Sequence, residues 1–301
     1  MTTHFFTIAK DWLRRYGSPV WSEYALFLAV AKQHRTVSAG RVAKRPAKPS
    51  LSRAEFNRLR NRLIRSEVIE PDTDFRSGVF RLVGASALTA EAACCLVDPF
   101  CYVSHLSAMQ HYGLTDRSPT ELSLTTPELS VWNVHRDERV RADLEQALQL
   151  DVKLGHVEWV PLIRYGFTGE IRGRPVVRHE TKYPDAPIAI RDTSIRIATI
   201  GRTFVDMLAD PAWCGGMNHV LDVWAESAAT YLEEIVAAVD SSPSAIVKVR
   251  AGYLLQERLR LAHPRIDAWK AFAARGSSRR LDPERPFDRR HSEAWMLSLN
   301  V

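Results

Sequence analysis

The chain has 301 residues, of which 46% are hydrophobic and 25% charged, a balance typical of folded globular domains and unlike that of disordered or fibrous chains. No apolar stretch approaches the roughly 20 residues needed to span a bilayer, so a membrane-spanning helix is not expected. The net charge of +6 is unevenly placed: the first 84 residues hold sixteen basic and seven acidic side chains, and the remainder is net −3. Between Arg35 and Arg65 ten Arg or Lys face a single acid, Glu55, an imbalance that points to a polyanion as partner.

The start of the chain lacks a basic lead and a long apolar core, so no signal peptide is expected. Cys94, Cys95, Cys101 and Cys214 show no Cys-x-x-Cys spacing and read as small buried residues in a reducing cytoplasm.

In the basic front end, Phe5, Ile8, Trp12 and Leu13 predict a helix over 4–16 that closes at Gly17-Ser-Pro19. Ser22 can cap a second helix from Glu23 to about His34, and a short helix is expected from Ser38 to Lys44. Pro46 and Pro49 then force a loop. Ser52-Arg-Ala-Glu55 is a capping box that opens a third helix. Along it Phe56, Leu59 and Leu63 form an inner stripe, whereas Arg58, Asn61 and Arg65, flanked by Asn57 and Arg62, fill the opposite face. Arginine and asparagine are the side chains whose forked donors and acceptors match guanine and adenine edges in the major groove. A polar turn at 72–78, with Arg76 at its tip, separates two short strands. Helix, helix, basic helix and hairpin is the order of a winged helix-turn-helix over residues 1–84. On this reading Arg53, Asn57, Arg58 and Asn61 read bases, while Arg45, Lys48, Arg62, Arg65 and Arg76 hold phosphates.

Residues 85–301 read as a larger mixed α/β domain with a helical subdomain, making the whole chain α+β. Helices are expected at 87–97, at 105–112 capped by Ser104, and at 136–149. Strands are expected at 121–125, 156–163, 174–181 and 188–199, the last broken at Asp192-Thr193. From Gly201 onward the pattern is helical and includes a second capping box, Thr230-Tyr-Leu-Glu233. The tail carries an aromatic strand around Trp295, Met296 and Leu297.

Catalytic signatures are sparse, and no cofactor or metal site is expected. The chain has no phosphate-binding Gly-x-x-x-x-Gly-Lys loop, no Gly-x-Ser-x-Gly elbow and no His-Glu-x-x-His pair. Glu180-Thr-Lys182, with Asp151 upstream, is the one pattern compatible with a Mg²⁺-dependent nuclease, and an alternating exposed strand explains it equally well. His105 and His111 read as a polar face and a packed ring.

Four stretches together resemble the AbiEi antitoxins of type IV toxin–antitoxin systems. They are the front end closing on Gly78-Val-Phe-Arg-Leu82, the run Tyr102–Leu114 with its Ser-Ala and Gly-Leu, Ile200-Gly-Arg-Thr-Phe-Val-Asp206, and Arg250-Ala-Gly-Tyr-Leu-Leu255. The Pro-rich loop at 45–51 departs from the family pattern. The resemblance implies a non-enzymatic cytoplasmic protein that binds inverted repeats of double-stranded DNA in its own promoter. It also implies that residues 85–301 antagonise a co-encoded nucleotidyltransferase toxin, with or without stable contact.

Overall fold

A computed structural model of the chain describes residues 3–39, 51–148, 159–166, 169–274 and 279–301. The fold is α+β. The front of the chain runs α1 (Thr3–Tyr16), β1 (Val20–Ser22), α2 (Glu23–Ala39), α3 (Arg53–Arg65), β2 (Ile69–Pro71) and β3 (Val79–Leu82). Next come α4 (Ala90–Val97), β4 (Tyr102–Val103), α5 (His105–His111), β5 (Leu122–Pro127) and α6 (Leu129–Leu148). Four strands follow: β6 (Glu170–Ile171), β7 (Arg174–Thr181), β8 (Ile188–Ala189) and β9 (Arg196–Ile197). The remainder is α7 (Ile200–Ala209), α8 (Met217–Ser227), α9 (Leu232–Ser241), α10 (Ala245–Gly252), β10 (His291–Ser292) and β11 (Leu297–Ser298). Among the described residues no helix is long and apolar enough to cross a membrane.

Two compact units emerge: Met1–Cys101 with Pro127–Pro175, and Tyr102–Thr126 with Val176–Val301. The boundary expected after residue 84 therefore falls inside the first unit. Its core explains why: Leu144 of α6 and Val160 are buried with Phe27, Phe56 and Leu59, and the Tyr24 hydroxyl donates to Asp143 at 3.0 Å. A segment that returns from more than a hundred residues away leaves no local signature.

Within the first unit α1 buries Phe5, Phe6, Ala9 and Leu13, so its inner stripe lies slightly to one side of the expected one, with Ile8 and Trp12 at the edge. The Ser22 hydroxyl accepts the Ala25 N–H at 3.2 Å and caps α2. That helix runs on to Ala39, past the expected end at His34. The short helix and the Pro loop expected beyond it lie outside the described residues. The capping box of α3 forms in both directions: Ser52 Oγ accepts the Glu55 N–H at 3.3 Å and Glu55 Oε2 accepts the Ser52 N–H at 3.0 Å. Ser52→Ala should destabilise the first unit by about 1 kcal/mol, read as a shift in urea midpoint at constant slope. A loss below a few tenths would show that the box contributes little.

The hairpin β2–β3 pairs antiparallel with Glu70 opposite Arg81, and β1 adds to its other side with Trp21 opposite Phe80. The order β1-β3-β2 makes a three-stranded sheet. Strand β1 has only three residues and gives no alternation to detect.

In the second unit the strand order is β7-β5-β4-β9-β8, with β4 parallel to β9 and antiparallel to β5. The helices α7 to α10 enclose a core containing Phe204, Trp224, Ile235, Leu254, Trp269 and Trp295. Two glycines permit its closest approaches. A Cβ on Gly201 would lie 2.2 Å from the Glu234 carbonyl oxygen, and one on Gly252 would lie 2.1 Å from the Trp295 ring.

Several local expectations are corrected. Residues 159–163 form no strand, although Val160 and Leu162 are buried and Trp159 and Ile163 exposed; Pro161 interrupts the donors a ladder needs. Thr230 lies in the turn that closes α8, and α9 starts after Tyr231 without a side-chain cap. Ser104 stands at the α5 N-cap position without capping it. The tail is a hairpin of β10 and β11 whose connection holds the buried Trp295.

Candidate nucleic-acid interface and a histidine cleft

The helix α3 separates its two faces as its spacing demands. Phe56, Leu59 and Leu63 are buried, whereas Arg53, Arg58, Asn61, Arg62 and Arg65 are exposed and Asn57 is half-buried. Arg53, Arg58 and Arg65 form no ion pair among the described residues, so their donors face solvent. Three neighbours modify the expected division of labour. The Arg60 guanidinium bonds Glu23 and so ties α3 to α2. Arg62 lies over the Phe6 ring at 4.0 Å, a cation–π contact that holds it against α1. Asn61 Oδ1 accepts from Arg60 Nε at 3.4 Å and Nη2 at 3.3 Å. To pair an adenine edge in bidentate fashion, Asn61 must give up these long bonds. Arg45 and Lys48 lie outside the described residues.

The turn between β2 and β3 carries Arg76 on its exposed surface, and the Arg76 N–H donates to the Gly166 carbonyl at 3.0 Å. Two acids of the same turn are neutralised by one cation. Arg172, adjoining β6, bonds Asp72 through Nη1 at 3.0 Å and Nη2 at 2.6 Å, and it also bonds Asp74. The Arg172 N–H donates to Asp74 Oδ2 at 2.8 Å. Asp72 is buried to 1% side-chain exposure, which makes this a largely desolvated clamp on the turn. Sequence reasoning missed it because the partners are about a hundred residues apart.

A second feature occupies the second unit alone. A cleft of about 180 Å³ is lined by residues that include His105, His179, Glu180, Arg202, Asp206 and Asp210. The imidazoles of His105 and His179 stack with centroids 4.0 Å apart, and Trp213 meets His179 edge-on at 5.0 Å. His105 Nδ1 lies 2.9 Å from Ser104 Oγ, and that oxygen accepts from Thr125 Oγ1 at 2.8 Å. His105 Nε2 lies 4.0 Å from Asp210 Oδ2. Serine, histidine and aspartate in a row suggest a nucleophile relay, but Ser104 is fully buried and its oxygen cannot meet a substrate.

Burial, reinforced by the adjacent His105, pushes His179 down to about 4, and the His105 contact holds the Asp210 carboxyl below its usual range. A histidine that stays neutral when folded but protonates near 6.5 when unfolded makes the unfolded chain bind more protons between those values. Stability should therefore fall as pH drops from about 6.5 toward 4. His34 and His219, also lowered by burial, share this slope. In thermal unfolding scans from pH 7 to 4, His179→Gln should show a shallower decline than the parent protein. An equal decline would remove His179 from the account.

Glu180, expected as the acidic member of a nuclease pair with Lys182, lies on this cleft with Arg178 Nε 3.8 Å from its Oε1. Asp151 is outside the described residues. Among the described residues no three His, Cys, Asp or Glu side chains are grouped to hold a metal ion.

No protein-family model and no curated protein matches this sequence. A solved structure, that of the RV2827C protein from Mycobacterium tuberculosis, is similar at 14% identity and a TM-score of 0.48. The match covers 99% of this chain and 92% of that one. At that score it assigns neither fold nor function.

Proposed function

We propose that the chain is a sequence-specific DNA-binding repressor whose residues 1–84 act as a winged helix-turn-helix. The observation that carries this reading is α3, a capped helix with one apolar stripe and an exposed face of arginine and asparagine. The order of α1, β1, α2, α3 and the hairpin β2–β3 suits that motif, with α3 entering the major groove and Arg76 on the wing. Arg53, Asn57, Arg58 and Asn61 read bases. Arg65 and Arg76 hold phosphates, joined by Arg45 and Lys48, which lie outside the described residues, and Arg62 reaches a phosphate only on leaving Phe6.

The antitoxin half of the reading rests on the AbiEi resemblance. In it residues 85–301 counteract a co-encoded nucleotidyltransferase toxin, and the protein represses its own operon in the cytoplasm without enzymatic activity. A gel-shift titration at physiological salt tests the DNA half. Promoter DNA with its inverted repeats should bind at least about 10³-fold more tightly than random duplex, and equal affinity would overturn the reading. Co-expression with the neighbouring toxin tests the other half: rescue should require residues 85–301. A nuclease using Glu180 and Lys182 would instead nick supercoiled plasmid in Mg²⁺, which a repressor leaves intact.

A further inference from the structure

The end of the second unit presents a loop that core packing does not explain. Residues 282–290 lead from the buried Leu281 to β10, and their backbone is tied to the last residues of the chain. The buried Asn300 accepts the Asp282 N–H at 3.0 Å through Oδ1. Its Nδ2 donates to the carbonyls of Asp282 at 2.8 Å, Arg285 at 3.0 Å and Pro286 at 3.0 Å. Arg280 donates to the same Arg285 carbonyl at 2.7 Å. Ser298 Oγ accepts the Asp288 N–H and donates to the Asp288 carbonyl, each at 2.8 Å. Bonds therefore hold the backbone on both sides of Phe287, yet its ring is 57% exposed. A backbone held in this way does not carry the ring inward, so the exposure is built into the fold.

Arginines flank that ring in sequence. Arg285, Arg289 and Arg290 are exposed. Arg285 meets Asp282 at 3.4 Å and Arg290 meets Asp288 at 3.3 Å, whereas the Arg289 side chain forms no ion pair or hydrogen bond among the described residues. Residues 279–290 hold five arginines and three acids, and the rest of 85–301 is net −5, so the loop is a basic island on an acidic body. Exposed arginines and an aromatic ring on a pre-ordered loop have the make-up of a binding hot spot, because little conformational entropy remains to be lost on docking. Charge then selects the partner. A nucleic-acid backbone would run past this short island onto a body of its own sign. A compact pocket lined with carboxylates fits within it.

We propose that this loop plugs the catalytic cleft of the nucleotidyltransferase toxin, an inference that rests on the antitoxin reading above. Nucleotidyl transfer relies on divalent cations held by carboxylates, and the cleft must also accept a flat base. Arg285 and Arg289 pair with those carboxylates where Mg²⁺ stands in the working toxin, and Phe287 takes the place of the base. Antagonism is then competition with Mg²⁺ and nucleotide.

The test titrates the full-length protein into the purified toxin by calorimetry. Phe287→Ala and Arg289→Ala, both at exposed positions, should each weaken binding at least about tenfold and leave operator affinity unchanged. A saturating mixture of the four nucleoside triphosphates with Mg²⁺ should displace the parent protein. Co-expression separates the two claims. A parent that fails to rescue cells from the toxin ends the antitoxin reading and this inference with it. Rescue that persists in the Phe287→Ala, Arg289→Ala double variant overturns the inference alone. It is also overturned if the toxin does not bind the parent, if nucleotide does not compete, or if the variants lose a single-stranded oligonucleotide instead of the toxin, which would assign the loop to nucleic acid.

Discussion

Replacing Arg58 with alanine should cost about 1–3 kcal/mol of affinity for the operator and almost nothing on random duplex. The reason is geometric. Arg58 projects from the face of α3 opposite Phe56, Leu59 and Leu63, is exposed, and forms no ion pair among the described residues. Its fork is free to pair with guanine O6 and N7. Arg65, at the last turn of the same face, should behave differently. Arg65→Ala should weaken every sequence alike and flatten the dependence of log K on log salt by about one unit. Titrations on operator and random DNA at several salt concentrations separate the two behaviours. Identical losses for both variants would show that no base-reading arginine exists at position 58.

The second large effect is expected at Arg172. Arg172→Met removes the cation that holds Asp72, whose side chain is 1% exposed, and leaves a buried carboxylate facing no charge. Breaking such a pair from one side costs about 3–5 kcal/mol, and the 22% exposure of Arg172 places this case toward the lower figure. Urea unfolding measures the loss. The double variant Arg172→Met with Asp72→Asn should recover much of it, because the stranded charge is then gone. Equal destabilisation of single and double variants would mean that the pair is not coupled. A DNA effect should accompany the single variant: releasing Asp72 and Asp74 beside Arg76 adds negative charge to the turn that faces phosphate in the proposed complex.

What the sequence reveals follows from the range of each interaction. The α3 helix is legible in full, since its cap and both its faces lie within fourteen consecutive residues, Ser52 to Arg65. Strand β7 is legible for the same reason, and its bounds, Arg174–Thr181, are those its alternation predicts. Features made by distant partners are not legible. Glu23 takes up the Arg60 charge, Arg172 clamps Asp72 and Asp74, and α6 joins the core of the first unit, all without a local signal.

The cleft illustrates the same limit. His105, His179 and Asp210 come from three separate elements, and spacing alone gives no reason to group them. The resembling stretches record packing instead. Gly113 and Leu114 close α5 in a Schellman turn, with the Leu114 N–H on the Met109 carbonyl at 2.9 Å and the Gly113 N–H on Gln110 at 3.1 Å. Ser107 bridges to β5 by accepting the Ser123 N–H at 3.0 Å. Gly201 and Gly252 make room for a backbone and a tryptophan ring. In this chain such residues serve packing, and by themselves they specify no activity.

The most direct test of the account places 7-deazaguanine at each operator guanine in turn and measures affinity for the parent protein and for Arg58→Ala. An α3 that reads the major groove predicts that one or two substitutions lower affinity about tenfold or more in the parent and have no effect in the variant, because the lost N7 and the lost guanidinium are the two ends of one contact. Parent affinity indifferent to every 7-deazaguanine, together with displacement by a minor-groove ligand such as distamycin, would contradict it.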